Sequence, residues 1–139
     1  MSPFLTGLPP YATVLGARIE RAADGAPVLA MPFSNDVLGR PGFLHGGAIT
    51  GLLELAAIVA LTEALHGEAD GSTADPARIK PVNLTVDFTR GGREKTTFAI
   101  GLITRLGSRI ANVEAIAWQD DRVRPIASAR LNYLIVRAG

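Results

Sequence analysis

The sequence predicts an α+β domain in which an antiparallel β-sheet curls around one long buried helix. Residues 46–65 have the character of a helix whose interior is apolar nearly all round, and a helix without a polar face must be enclosed on all sides. Later segments alternate apolar and polar residues, as strands with one buried face do. Short turns between these strands favour antiparallel pairing. A sheet that wraps the helix buries it best.

Length and composition agree with a single globular domain spanning residues 1–139. Apolar residues make up 47% of the chain and aromatic residues only 6%, so the core must be mainly aliphatic. The absence of cysteine excludes disulfides, thiolate nucleophiles and Cys-ligated metals, and two histidines argue against a multi-histidine metal site. No basic segment followed by an apolar stretch opens the chain, so we expect no signal peptide and a cytoplasmic location.

Charge is distributed unevenly along the chain. Three basic and eight acidic residues precede residue 78, whereas eleven basic and five acidic residues follow from there. A basic second half suits a phosphorylated ligand or nucleic acid, although solvated strand faces would give the same pattern. The basic residues are scattered without interleaved aromatic residues for base stacking, which argues against nucleic acid.

Turn-forming residues divide the first part of the chain. Residues 9–11, Pro-Pro-Tyr, can open a short helix, since proline is tolerated at the first helical position. Two short strands are expected at residues 17–22 and 28–33. A loop rich in turn formers, residues 34–42, then leads to the long helix.

After a polar loop at residues 66–76 the period of the apolar residues changes to two. Val82, Leu84, Val86 and Phe88 alternate with polar residues, which predicts an amphipathic strand. Three further strands are expected at residues 96–105, 109–119 and 124–136. Together with the first they would make four strands in meander order.

A membrane span is the alternative interpretation of the long helix. Its apolar run, residues 48–61, is shorter than the ~18 uninterrupted residues expected of a span, and it contains Glu54. We therefore expect no membrane association.

Paired glycines, Gly46 and Gly47, lie where the helix begins. The first N–H groups of a helix have no partner within it and can donate to a ligand. Together with the helix dipole they suit an oxygen that gains negative charge, as a thioester carbonyl does under attack. The structural alternative is that the glycines allow a tight entry or close packing.

Glu54 is a carboxylate within the apolar part of the same helix. Burying an unpaired carboxylate is costly, so it must be neutral, paired or directed into a cavity. In a cavity it suits a general base or nucleophile; alternatively it pairs with an arginine of the sheet.

One helix cannot bring both features to the same substrate atom. Seven residues separate Gly47 from Glu54, about 10 Å along the axis, whereas a reacting carbon needs both groups within about 3.5 Å. Two antiparallel copies of the helix in a symmetric dimer would meet this requirement. The proposed chemistry therefore predicts a homodimer.

The sequence His45-Gly46-Gly47, with an acidic residue nine positions after the histidine, resembles the hotdog-fold acyl-CoA thioesterases of the phenylacetate-degradation and 4-hydroxybenzoyl-CoA type. The similarity extends over nearly the whole chain and includes Leu15-Gly16 and Gly107-x-Arg109. It implies a hotdog fold, dimers that often pair into tetramers, acyl-CoA as the small-molecule substrate, and no metal or organic cofactor.

The resemblance also implies roles for individual residues. The amide of Gly46, helped by Gly47, would polarise the thioester carbonyl. Glu54 from the partner chain would activate water or attack directly. His45 would be a structural residue that holds the loop at the substrate rather than a base.

Two positions depart from the family pattern: Gly39 stands where relatives often have Asn or Gln, and Ile58 stands where some have a hydroxyl residue. Both groups help to place the attacking water, and Asn35 is the candidate replacement. These departures make a non-catalytic acyl-CoA-binding hotdog protein an alternative. A hotdog dehydratase is a third possibility, but that chemistry requires a catalytic histidine, and His45 lies in a different motif.

Arg90, Arg105 and Arg109 are candidates for binding the phosphates of coenzyme A, because guanidinium groups bind phosphate in a bidentate way. Taken individually, each fits a solvated surface position better than a phosphate contact. The identity of the acyl group is not encoded in any pattern of the sequence.

Overall fold

The computed structural model describes residues 8–68 and 78–136. The elements in chain order are helix α1 (Tyr11–Leu15), strands β1 (Arg18–Arg21) and β2 (Pro27–Met31), a 3-10 turn (Asn35–Val37), helix α2 (Gly46–Glu68), and strands β3 (Arg78–Phe88), β4 (Thr97–Leu106), β5 (Ile110–Trp118) and β6 (Ala127–Val136).

The six strands form one curved antiparallel sheet in the order β1-β2-β4-β5-β6-β3. Helix α2 packs across the sheet, mainly over β4 and β5. This arrangement confirms the predicted fold class. Helix α2 continues to Glu68, so the loop expected from residue 66 begins later; residues 69–76 of that loop lie outside the described residues.

The expected meander order is wrong for β3, which pairs with β6 and not with β4. The edge of β4 that β3 would have needed is occupied by β2. Between β3 and β4 the chain runs along the end of the sheet, where the side-chain amide of Gln119 accepts from the Arg93 N–H and donates to backbone carbonyls of Arg93 and Lys95. Strands β4, β5 and β6 do form a meander.

Small residues allow α2 to approach the sheet closely. Gly101 of β4 lies against Ala56, Ala57 and Ala60 of the helix, with no space for a side chain between them. Leucines fill the rest of the interface, including Leu52, Leu53 and Leu61 on the helix and Leu131 on β6, all at most 2% exposed. Close packing of this kind makes the interface sensitive to single methyl groups.

Helix α2 is not enclosed on all sides within one chain, contrary to expectation. Gly46 is exposed, and Thr50, Glu54 and Ile58 are each only partly buried. These residues follow one another at intervals of four, so they lie along one side of the helix. We call Gly46, Thr50, Glu54 and Ile58 the open stripe.

Strand β3 also exposes apolar side chains. Leu84 pairs with Leu131 and Phe88 with Ala127; residues directly opposite on neighbouring strands share a face, so both point to the helix side of the sheet. Nevertheless Leu84 is 37% exposed and Phe88 is 54% exposed. One chain therefore leaves an uncovered apolar surface beside the open stripe.

Residues Gly46–His66 are long and apolar enough to cross a membrane, with a mean hydropathy of 1.8 over an 18-residue window. The core helix of a soluble protein meets the same criterion, and 56% of this window is buried within the fold. The packing against the sheet accounts for the apolar character.

We expect Gly101→Ala to destabilise the protein by about 1–3 kcal/mol, the usual range for overpacking a core. A Cβ at Gly101 would lie 2.7 Å from the Ala56 carbonyl oxygen and 3.0 Å from the Ala57 Cα, both backbone atoms. Urea unfolding measures the change. Gly46→Ala is the matched control, because its Cβ would meet only Phe88 at 3.5 Å, an ordinary contact. Equal midpoints for Gly101→Ala and wild type would contradict the close packing.

Candidate active site

The loop before α2 is fixed by backbone hydrogen bonds. The N–H of His45 donates to the Val37 carbonyl at 2.9 Å, and the N–H of Leu44 donates to the Gly92 carbonyl at 2.9 Å. Gly39 N–H donates to the Phe43 carbonyl at 2.9 Å within the loop. The start of the helix is therefore held against the end of the sheet where β3 leaves.

His45 caps the helix and separates the roles of the two glycines. Its Nδ1 accepts a hydrogen bond from the Gly47 N–H at 2.9 Å, as an N-cap side chain does. Gly47 therefore has no N–H left for a ligand, and the expectation that it helps Gly46 is not met in this geometry. The Gly46 N–H donates to no acceptor among the described residues. Gly46 is thus the open donor at this helix end.

A cavity of about 350 Å³ lies beside Gly46. Its wall includes side chains from the loop, from α2 and from the end of β3, among them Arg40, Phe43, Ile49, Phe88, Thr89 and Arg90. The cavity thus combines apolar surface with two guanidinium groups next to the open amide.

Phe43 organises the positive charge near this cavity. The guanidinium carbons of Arg40 and Arg93 lie 4.4 and 4.3 Å from the centroid of its ring, within cation–π range. No pattern in the sequence singles out Arg40, Phe43 or Arg93. The available signal was weak: both arginines adjoin glycines in turns, and only the fold brings residues 40 and 93 together.

The four predicted ligand-binding candidates outside the helix are not all close together. Arg90 lines the cavity beside Gly46. Arg105 and Arg109 lie towards the other end of the sheet, about 15–25 Å away along β5 by the rise of 3.3 Å per residue. Asn35 is exposed in the 3-10 turn, and its side chain makes no hydrogen bond to another described residue.

Any side chain at Gly39 would be strained. A Cβ there would lie 3.0 Å from the His45 Cα and 3.1 Å from the His45 nitrogen, both of which are backbone atoms. The loop is therefore packed around a glycine, so the Asn or Gln common in relatives does not fit here without a backbone shift.

Glu54 lies in the middle of the open stripe. Among the described residues its carboxylate forms no hydrogen bond and no ion pair, whereas Glu63 on the same helix binds Arg21 of β1 with N–O distances of 2.9 and 2.7 Å. The alternative in which Glu54 pairs with an arginine of the sheet is therefore not seen among the described residues. The helix carboxylate that does bind a sheet arginine is that of Glu63. Gly46 and Glu54 are eight residues apart, about 12 Å along the axis.

Tyr133 is buried on the helix side of β6. Burial raises the pKa of Tyr133, and the negative charge of the Glu54 carboxylate raises it further. Among the described residues no group of three or more His, Cys, Asp or Glu side chains could hold a metal ion. The arrangement thus offers an open amide, a carboxylate and guanidinium groups.

A family model of the thioesterase superfamily matches residues 41–126, which span the helix start, Glu54 and strands β3 to β5. The chain belongs to this superfamily. It is therefore a thioester hydrolase by family. A comparison with curated proteins gave no match.

Several solved structures share the fold of this superfamily member. A protein from Chromobacterium violaceum is 32% identical with a TM-score of 0.70, and the match covers 96% of this chain and 87% of that one. A putative thioesterase from Ralstonia eutropha, related to phenylacetic acid degradation, is 21% identical with a TM-score of 0.76, covering 95% and 96% of the two chains. A Bacillus halodurans protein solved with CoA is 18% identical with a TM-score of 0.74, covering 93% and 80%.

His45→Asn should retain both stability and turnover, because asparagine is also a good N-cap, whereas His45→Ala should lose about 1 kcal/mol of stability. Urea unfolding and release of free thiol from a thioester measure the two effects. Turnover that fell by about 10²-fold or more in a stable His45→Asn variant, as expected for loss of a general base, would show that His45 is catalytic and not a cap.

Proposed function

We propose that the protein hydrolyses acyl-CoA thioesters to the free acid and CoA. The observation that carries this proposal is the open N–H of Gly46, which lies at the N-terminus of α2 in the wall of a cavity that also contains Arg40 and Arg90. An amide in this position suits a carbonyl oxygen that becomes negative, and the guanidinium groups suit the phosphates of the coenzyme. The CoA bound to the related fold from Bacillus halodurans supports this ligand class.

In the proposed mechanism the thioester carbonyl oxygen accepts a hydrogen bond from Gly46. The amide and the helix dipole stabilise the negative charge that develops when the carbonyl carbon is attacked. Glu54 removes a proton from the attacking water, the tetrahedral intermediate collapses, the C–S bond breaks, and the sulfur leaves with that proton. Direct attack by Glu54 uses the same residues: the C–S bond breaks, CoA leaves as the thiolate, and water then cleaves the mixed anhydride, giving the free acid, regenerating the carboxylate and supplying the proton that the thiolate takes up. No metal or organic cofactor is required for either route.

A second copy of the chain completes the proposed site. Gly46 and Glu54 of one chain are too far apart to act on the same carbon. The open stripe and the exposed Leu84 and Phe88 are left uncovered by one chain, and a Cβ built on Gly46 would lie 3.5 Å from the Phe88 ring. A partner that packs its α2 antiparallel to the first would cover this region and place its Glu54 near Gly46. Such dimers can pair further into tetramers.

The phosphate contacts follow from the same geometry. Arg40 and Arg90 are the candidates within one chain because they line the cavity beside Gly46, with Arg93 fixed next to Arg40 by the ring of Phe43. Arg105 and Arg109 keep this role only if the second chain brings them to the site.

Glu54→Gln should lower turnover of acyl-CoA by at least about 10²-fold, because the amide cannot remove a proton or attack. The variant keeps the size of the side chain, so folding should be intact. Release of free thiol from aryl, short-chain and medium-chain acyl-CoAs measures turnover and identifies the acyl class.

Glu63→Gln is the matched control, since it removes a carboxylate from the same helix but one that is bound to Arg21. Its turnover should equal that of wild type. Near-normal turnover of Glu54→Gln would remove Glu54 from the mechanism. CoA binding without thiol release by the wild-type protein would instead support the non-catalytic acyl-CoA-binding alternative.

Mixing two inactive variants tests whether the site is shared between chains. Gly46→Pro removes the donor N–H at a position where a helix tolerates proline, and Glu54→Ala removes the carboxylate. After free exchange in a 1:1 mixture, half of the dimers contain one chain of each variant. Such a mixed dimer has one site with both the N–H and the carboxylate and one site with neither. Activity should therefore return to about a quarter of wild type.

Gly46→Ala is the control for the first variant, because it keeps the N–H and adds a methyl group in ordinary contact with Phe88. Light scattering establishes the dimer, and mass spectrometry of labelled chains establishes the exchange. No recovery of activity despite complete exchange would mean that the amide and the carboxylate do not meet across an interface.

A further inference from the structure

A second cavity, of about 310 Å³, adjoins the cavity beside Gly46. Its wall is formed by the chain between β3 and β4 and by the turn between β5 and β6, and it contains three arginines, Arg90, Arg93 and Arg124. The two cavities share Arg90 and Gly91, whereas Gly46 lines the first and not the second. A ligand that starts at the open amide therefore passes Arg90 before it reaches the second cavity.

Hydrogen bonds fix the two segments of this wall against each other. The Arg90 N–H donates to the Ile126 carbonyl at 3.1 Å. The side-chain oxygen of Gln119 accepts from the Arg93 N–H at 2.9 Å, and its side-chain nitrogen donates to the Arg93 carbonyl at 2.9 Å. Because this backbone is held in place before a ligand arrives, less conformational freedom is lost on binding.

Two aspartates also line the cavity, and both already have partners. Asp120 accepts from the Lys95 ammonium at 2.7 and 2.9 Å. The Asp121 carboxylate accepts from the Val123 N–H at 3.0 Å, and the Asp121 carbonyl accepts from the Arg124 N–H at 2.9 Å. With Asp120 paired to Lys95, three guanidinium groups share the cavity wall with one carboxylate. The wall therefore has a net positive charge that favours an anion.

The chemistry of this wall fits a phosphomonoester. Such a group carries about −1.5 to −2 charges at neutral pH, and guanidinium groups bind it in a bidentate way. Coenzyme A has a diphosphate, for which Arg40 and Arg90 of the first cavity are candidates, and a separate phosphomonoester on its ribose. The long pantetheine arm places both far from the thioester, so phosphate contacts are needed away from the open amide.

We propose that the second cavity is a subsite for the ribose 3′-phosphate of a coenzyme A thioester, with Arg93 and Arg124 as its ligands. This assignment rests on the proposed function, because it places the thioester carbonyl at Gly46. The coenzyme would run from Gly46 past Arg90 into the second cavity. The subsite would select coenzyme A over thioester carriers that lack this phosphate, such as the phosphopantetheine arm of an acyl-carrier protein.

Arg124→Gln removes one guanidinium group of the subsite. We expect KM for an acyl-CoA to rise about tenfold with kcat little changed, because a charged hydrogen bond made equally in the ground state and the transition state contributes to KM alone. KM for the same thioester of dephospho-CoA, which lacks the 3′-phosphate, should be equal in wild type and variant. The Arg124 side chain is exposed, so folding should be intact, and urea unfolding checks it.

Arg122→Gln is the matched control. Arg122 belongs to the same turn, but its guanidinium carbon lies 5.4 Å from the centroid of the Trp118 ring, and the residue does not line the second cavity. Its KM for acyl-CoA should equal that of wild type. Arg124→Lys, which keeps the charge but cannot bind phosphate in a bidentate way, should give an intermediate KM.

Calorimetric titration with CoA and with dephospho-CoA separates this inference from the proposed function. Wild type should bind CoA more tightly than dephospho-CoA, and Arg124→Gln should reduce this preference about tenfold. Arg122→Gln should leave the preference unchanged. If no acyl-CoA is hydrolysed but these differences in Kd are found, the proposed function fails and the subsite stands.

The opposite result is a protein that hydrolyses acyl-CoA but does not distinguish the two coenzymes. Equal KM values for CoA and dephospho-CoA thioesters in wild type, or an equal rise for both in Arg124→Gln, would show that the second cavity does not bind the 3′-phosphate, while the proposed function would stand. A rise in KM confined to thioesters of an acyl-carrier protein would assign Arg124 to the surface of that protein. Either outcome overturns the inference.

Discussion

Burial of the apolar helix α2 is the constraint on which the rest of the structure depends. A single curved sheet can cover only part of a helix that has no polar face. Here the covered part is packed closely enough that Gly101 leaves no space for a methyl group against Ala56 and Ala57. The uncovered part is the open stripe, and both groups of the proposed chemistry, Gly46 and Glu54, lie on it. The proposed site therefore occupies the surface that one sheet cannot cover.

The start of the helix shows how backbone hydrogen bonds create a specific donor. The first four N–H groups of any helix lack partners within the helix. His45 accepts from Gly47 with its side chain, and its carbonyl accepts from Ala48 and Ile49. Of the first four N–H groups of α2, that of Gly46 is left without an acceptor among the described residues. The histidine thus contributes to the proposed chemistry by occupying the neighbouring donors, and it needs no proton transfer of its own.

Local patterns were sufficient to predict the helix and most of the strands. The apolar run of α2 and the alternation along β6 placed these elements within a few residues of their observed bounds. Strand β3 begins four residues earlier than expected, because a bulge between Pro81 and Asn83 interrupts the alternation. Strand order was not predictable in the same way: whether β3 pairs with β4 or β6 depends on the position of β2, a non-local contact that no periodicity encodes.

The site was predictable to the extent that it depends on one segment. Gly46, Gly47 and Glu54 lie within nine residues and could be identified from their spacing, although the capping that distinguishes Gly46 from Gly47 required coordinates. Arg40 and Arg93 are more than fifty residues apart and meet only because both stack on Phe43. Tyr133 lies on the buried face of β6, but alternation along a strand indicates the side of a residue and not the surroundings of its hydroxyl.

Gly39 shows how the loop and the start of the helix depend on each other. The backbone of His45 lies 3.0 and 3.1 Å from the point where a Cβ at position 39 would stand, so the loop is packed around a glycine. The same residue donates its N–H to the Val37 carbonyl and accepts from the Gly47 N–H with its side chain. The close packing at Gly39 and the capping that leaves Gly46 open therefore depend on a single placement of His45.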